Sequence, residues 1–232
     1  MTAGVPEDPR SPAVLFDVDG TLVDSNYLHV HAWHRAFKEL SVPVQTWRIH
    51  RCIGMDGQKL LETLAAEADE DTRAELKDLH TRYYAETTPL LSPLPGGREI
   101  LDRIDALGLQ VVLATSAPED ELATLRKVLD REDVISTVTS SKDVETAKPE
   151  PDIVEIALAR ADVTADRAVF VGDAVWDAKA SVAAGVTCIG VLSGGVSRGE
   201  LEAAGAAVVF DDVLDLGTHL GDSPIQHLLA LR

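Results

Sequence analysis

AVLFDVDGTLVDS, residues 13–25, is the stretch on which the fold turns. Ala13 to Phe16 form an apolar run without alternation, and Asp17, Asp19, Gly20 and Thr21 follow at once. A short, continuous apolar run bounded by turn residues reads as a strand covered on both faces, the habit of parallel sheets. Ligands of open parallel sheets bind at the carboxyl ends of the strands, which is where Asp17 and Asp19 fall. Two carboxylates two positions apart in extended chain point the same way. They repel unless one keeps a proton or both share a cation. Mg²⁺, which prefers carboxylate oxygen and retains waters, answers that need. A polar turn closed by Asp-Gly is the alternative. A calcium loop is excluded, because the glycine stands fourth rather than sixth.

Similar runs recur at QVVLAT (110–115), VISTV (134–138), AVFVG (168–172), VTCIGVL (186–192) and AAVVF (206–210). Helical patterns separate them: Ile100, Leu101, Ile104 and Leu107 on one face, Leu122, Leu125 and Leu129 on another, and Ile153, Ala157 and Arg160 marking a third. Strands alternating with helices of this length predict βαβ units in a doubly wound parallel sheet. From about 25 to 91 the pattern is helical only. Leu28, Ala32, Trp33, Ala36, Phe37 and Leu40 repeat at helical spacing, as do Leu60, Leu61, Leu64, Ala65 and Ala68, and 70–86 forms a further run. This predicts an all-helical cap (25–91) inserted in an α/β, Rossmann-like core (1–24 and 92–232). Residues 1–12, with three prolines, read as a loose arm. Residues 217–232 carry too little pattern to assign.

Three further signals sit at strand ends. In AVFVGDAVWDAKAS (168–181), Asp173 closes a strand and Asp177 follows at helical spacing on the same side; a helix cap accounts for Asp173 alone. VVLATSAPED (111–120) ends a strand in Thr115 and Ser116, either a phosphate cradle or a plain cap. Lys148 in ETAKPEPD (145–152) precedes Pro-x-Pro, in extended chain. It either meets an anion or is a solvated surface charge. If the chain crosses back after its third strand, the strands carrying Asp17 and Asp173 become neighbours at a topological switch point.

Together these residues resemble the haloacid dehalogenase superfamily of aspartate-nucleophile phosphatases. DVDGTLVDS (17–25), Thr115, Lys148 and GDAVWD (172–177) match its four motifs in order, across nearly the whole chain. The cap is similar to that of the β-phosphoglucomutase and phosphoglycolate phosphatase subgroup. The resemblance implies Asp17 as nucleophile and Asp19 as general acid and base. It implies Mg²⁺ held by Asp17, Asp173 and the Asp19 backbone carbonyl, with Asp177 in or near the second sphere of the ion. Thr115, Ser116 and Lys148 would bind the phosphoryl group. Asp19 sets the chain apart from the metal-free dehalogenases, and no lysine near Met55-Asp56-Gly57 matches the phosphonatase Schiff base. The mutase branch binds a second phosphate with an arginine and a Lys-Asn pair. This chain has Gly57 and Pro118-Glu119 at those places.

The expectation is therefore a Mg²⁺-dependent phosphatase of a small phosphorylated metabolite. A sugar-phosphate mutase and a catalytically idle binding protein are the rivals. His29, Arg51, Gly54 and Asp56 are expected to face substrate from the cap. Trp33 and Trp47 read as cap packing, and Gly194-Gly195 as a loop without a dinucleotide fingerprint. His29, His31 and His34 lack the i, i+4 spacing of a helical zinc site.

Composition agrees. Among 232 residues, 39 acids and 21 bases leave a net charge of −18, which disfavours a nucleic-acid or basic membrane-surface binder. No run reaches the roughly 18 apolar residues of a membrane span. Cys52 and Cys188 form no metal or disulfide spacing, which suits a reducing compartment. The N-terminus has no signal-like apolar segment, so a cytoplasmic location is expected, as monomer or dimer.

Overall fold

A computed structural model describes residues 10–143 and 148–232. The expected arm at 1–12 and the 145–152 segment thus fall in part outside the described residues. Six strands form one parallel sheet: β1 (Ala13–Phe16), β2 (Gln110–Ala114), β3 (Ile135–Thr139), β4 (Ala168–Gly172), β5 (Thr187–Val191) and β6 (Val208–Phe210). Their order is β3-β2-β1-β4-β5-β6, so the chain crosses back after the third strand and β1 lies beside β4. Helices α1 (Asn26–Glu39), α2 (Thr46–His50), α3 (Gly57–Leu64), α4 (Glu70–Thr87) and α5 (Gly97–Ala106) lie between β1 and β2. The helices α6 (Glu119–Leu129), α7 (Asp152–Ala161), α8 (Val175–Ala183), α9 (Arg198–Ala204), α10 (Val213–Thr218) and α11 (Ile225–Leu229) complete the chain.

The missing alternation in β1 has a direct cause. Val14 and Phe16 enter one apolar cluster with Ile100, Leu113 and Val171, while Ala13 and Leu15 enter another with Ile153 and Phe170. Successive side chains point to opposite faces, and both faces are covered by helices. In α6, Leu122, Leu125 and Leu129 are buried, and Glu119, Asp120 and Glu121 occupy the first turn, where the helix dipole favours acids.

Helices α1 to α4 pack around their own apolar cluster, which includes Trp33, Phe37, Leu60, Leu76 and Tyr83. Asp56 caps α3 by accepting the Gln58 N–H, and Asp69 caps α4 by accepting the Thr72 N–H. Helix α3 stops at Leu64, short of the expected Ala68. Arg73 donates to the carbonyls of Ala65 and Ala66 there, satisfying chain that has turned out of the helix. Trp47 does not pack as expected: it is 67% exposed, on the short helix α2. The unassigned tail contains α11, whose Ile225 and Leu228 are buried in the main core. No described helix is long and apolar enough to cross a membrane.

Candidate active site

Asp17 follows β1 directly, and its N–H extends the ladder by donating to the Val171 carbonyl of β4 at 2.9 Å. Asp173 follows β4, and Asp177 lies in the first turn of α8. Oxygens of Asp17, Asp173 and Asp177 all lie within 4.8 Å of one another, and the three side chains are buried. Asp177 is thus as much a member of the group as the other two. It also caps α8, Oδ2 accepting the Ala174 N–H at 3.0 Å.

Lys148 is 1% exposed. Its Nζ stands 2.7 Å from Asp17 Oδ1 and 2.7 Å from Asp177 Oδ1, so the surface-charge reading of this lysine is set aside. Asp173 accepts the Thr21 hydroxyl at 2.9 Å and the Asn26 amide at 2.8 Å. Burial, then the neighbouring Asp177, raises the Asp173 pKa to about 7. Burial likewise pushes Asp17 well above the usual carboxylate range, with Lys148 opposing. Burial works against the Lys148 charge, but Asp17 and Asp177 outweigh it and raise its pKa. Three buried carboxylates facing one ammonium form an all-oxygen donor set short of positive charge, which fits a hard divalent cation.

The Asp19 side chain is directed elsewhere. Its Oδ1 accepts the Ser25 hydroxyl at 2.5 Å and lies 3.4 Å from His29 Nε2. His29 Nε2 is also 3.3 Å from Glu121 Oε1 of α6, and its Nδ1 is 3.2 Å from His80 Nε2. Burial opposes a charge on His29, yet Glu121 and Asp19 together raise its pKa to about 10. His80, buried beside that charge, is held well below the ordinary histidine range. These residues open on a cleft of about 400 Å³ between the helical block and the sheet edge.

A model of the family described as haloacid dehalogenase-like hydrolase matches residues 14–191. The chain belongs to this family. The haloacid dehalogenase-like hydrolase is 32% identical to a phosphoglycolate phosphatase of Rhodospirillum rubrum over 220 residues, covering 90% of each chain. It is 28% identical to a phosphorylated carbohydrates phosphatase of Thermotoga maritima, covering 85% of this chain and 93% of that one. Among solved structures, a hydrolase from Pseudomonas syringae superposes with a TM-score of 0.87 at 36% identity, covering 91% of this chain and 99% of that one. A β-phosphoglucomutase from Clostridium difficile, at 18% identity and a TM-score of 0.81 over 95% and 98% of the two chains, shares the fold.

In this hydrolase His29, Gly54, Asp56 and Ser116 line the cleft. Thr115 sits buried at the end of β2, its Oγ1 accepting the Ala117 N–H at 3.0 Å. Arg51 does not line the cleft. It directly follows α2 and pairs with Glu200 of α9 at 2.5 Å, while His50 beside it meets the Gly194 carbonyl at 2.9 Å. Sequence reasoning missed Thr21, Ser25, Asn26, His80, Glu121 and Gly194. Only Thr21 and Ser25 had a signal, since they lie within the first motif. Gly20, at φ +75°, turns the chain where a Cβ would overlap Asn26 and Asp173. Gly194 approaches so closely that a Cβ there would overlap the Asp173 carboxylate.

Proposed function

We propose that this hydrolase is a Mg²⁺-dependent phosphatase of small phosphomonoester metabolites, working through an aspartyl-phosphate on Asp17. The observation that carries the reading is the convergence of Asp17, Asp173, Asp177 and Lys148 at the edge of two adjacent strands, with Asp19 beside them at the cleft. The phosphatase names of the relatives support the same reaction class.

Asp17 attacks the phosphorus, and the bond to the leaving oxygen breaks. Asp19, held by Ser25 and His29, gives that oxygen a proton and later takes one from the water that hydrolyses the acyl phosphate. Lys148 screens the approach of one anion to another. Thr115 uses a lone pair on the Ala117 N–H, which leaves its hydroxyl proton for a phosphoryl oxygen. Asp17, Asp173 and the Asp19 backbone carbonyl would hold Mg²⁺, with Asp177 alongside, and bound there the ion supplies the remaining positive charge. We read residues 25–91 as the cap that closes over substrate and excludes water. Among the described residues lining the cleft, Lys77 is the only lysine or arginine, which favours hydrolysis over a mutase needing to hold a second phosphate.

Phosphate release from a panel of monoesters, with Mg²⁺ and with a chelator, tests the reading. Metal-dependent release from at least one small ester is expected. Isomer interconversion without release indicates the mutase, and no turnover with any ester indicates the idle protein.

The buried acids also give a pH signature without substrate. Asp173 titrates at about 7 in the folded chain against a reference of 3.8, and Asp17 is raised in the same direction. Between about pH 4 and 7 the folded protein keeps protons that the unfolded chain has lost, so stability falls as pH rises through that window. Lys148, raised above 10.5, contributes equally across it. In chelator, the melting midpoint is expected to fall from pH 5 to pH 8, and Mg²⁺ to raise it far more at pH 8. Equal Mg²⁺ effects at both pH values would count against a site that must lose protons to bind.

A further inference from the structure

Taking the phosphatase reading as its basis, we infer that the leaving alcohol is an uncharged polyol, and that Glu121 is the specificity-determining residue that turns away acidic leaving groups such as a carboxylate.

The leaving oxygen must reach Asp19, the group that protonates it. Glu121 stands beside that point. Oxygens of Asp19 and Glu121 and a ring nitrogen of His29 all lie within 4.8 Å of one another, and the Glu121 side chain is 15% exposed. The first two carbons of any leaving group therefore pass close to the Glu121 carboxylate. A carboxylate on the second carbon would meet a like charge.

Among the described nitrogen groups around that point, His29, His80 and Lys148 are engaged, and Lys77 lines the cleft from the cap. His29 Nε2 already lies between Asp19 at 3.4 Å and Glu121 at 3.3 Å. His80 Nε2 faces His29 Nδ1, with its ring stacked on Trp33 at 4.1 Å. Lys148 is buried against Asp17 and Asp177. Lys77 is exposed on α4, at the cap side of the cleft. The opposite wall, at the start of α6, adds a further carboxylate, Asp120.

What remains suits hydroxyls. Glu121 and Asp120 can accept from them, and Ser116, Ser141 and Thr81 can donate or accept. Ile53, Met55 and Leu60 supply an apolar wall for carbon. A cleft of about 400 Å³ has room for more than two carbons. The relatives named phosphoglycolate phosphatases thus share the chemistry with this chain, while Glu121 directs it to a different leaving group.

The test uses two esters that differ at one place, 2-phosphoglycolate and 2-hydroxyethyl phosphate, in which a CH₂OH replaces the carboxylate. The wild type is expected to show kcat/KM about 30-fold or more in favour of hydroxyethyl phosphate. Glu121→Gln should cut that ratio about tenfold by raising turnover of phosphoglycolate, and Glu121→Asp should keep the preference. A ratio taken within one preparation does not depend on the folded fraction, so a poorly folding variant still reports. Equal or better turnover of phosphoglycolate by the wild type, or a ratio unmoved in Glu121→Gln, overturns the inference and leaves the phosphatase standing. No release from either ester or from the wider panel overturns the phosphatase itself.

Discussion

Replacing Asp17 with asparagine lowers turnover by about 10⁴-fold or more, because an amide oxygen is too weak a nucleophile to form the acyl phosphate. The fold should persist. Asparagine has the same shape, and the substitution removes a buried carboxylate whose proton affinity is already raised by burial and by Asp177, Asp173 and Asp19. The substitution also takes one of two carboxylates from Lys148, which keeps Asp177 at 2.7 Å, so stability at neutral pH is expected to change little. The measurement pairs steady-state phosphate release with the mass of acid-quenched protein. Wild type under turnover should carry an added phosphoryl group, and Asp17→Asn should carry none. A variant that keeps both rate and adduct would move the nucleophile to another residue.

Lys148→Met is expected to cost stability as well as activity. The ammonium is 1% exposed and lies 2.7 Å from two carboxylates that come from different elements. Removing one partner of a buried ion pair leaves uncompensated charge and costs about 3–5 kcal/mol. For a chain of this size that is a drop of roughly 10 °C in melting midpoint. The sign of its pH dependence follows from the acids. Without the lysine, which opposes the rise caused by burial, Asp17 takes up a proton more readily, so the loss is largest at neutral pH and shrinks toward pH 4. Thermal melts of both proteins at pH 5 and pH 8 check this. An equal midpoint at pH 8 would show that methionine packing replaces the ion pair without loss, and the electrostatic account of the site would fail.

Much of this was legible in the chain because strands buried on both faces write themselves as unbroken apolar runs. Ala13–Phe16 and Ala168–Gly172 stand where the runs predicted, and other edges shift by one or two residues. Asp17, Asp19, Thr115 and Asp173 were legible for a related reason: each stands just beyond such a run, at the edge where parallel sheets bind ligands. Helix α2 was not legible, since the five residues Thr46–His50 are too few to display a period. Trp47 was misjudged because residue type says little about direction on so short a helix, and Arg51, just past it, pairs with Glu200. Glu121 carried no signal of its own. In sequence it is one of three acids opening α6, and only the packing of α1 against the sheet edge brings His29 to it. Asn26 is separated from Asp173 by 147 positions, a pairing that no local pattern records.

The position of β1 has a consequence for how the molecule comes into being. Its neighbours are β2 and β4, and the latter ends at Gly172. During synthesis the first strand must wait, with one side unzipped, until three-quarters of the polypeptide has left the ribosome. A nascent chain in that interval has Asp17 but neither Asp173 nor Asp177 beside it. It also offers an apolar ribbon to any other unfinished copy, and the closing of β4 against β1 ends that hazard and brings the three carboxylates together in a single event.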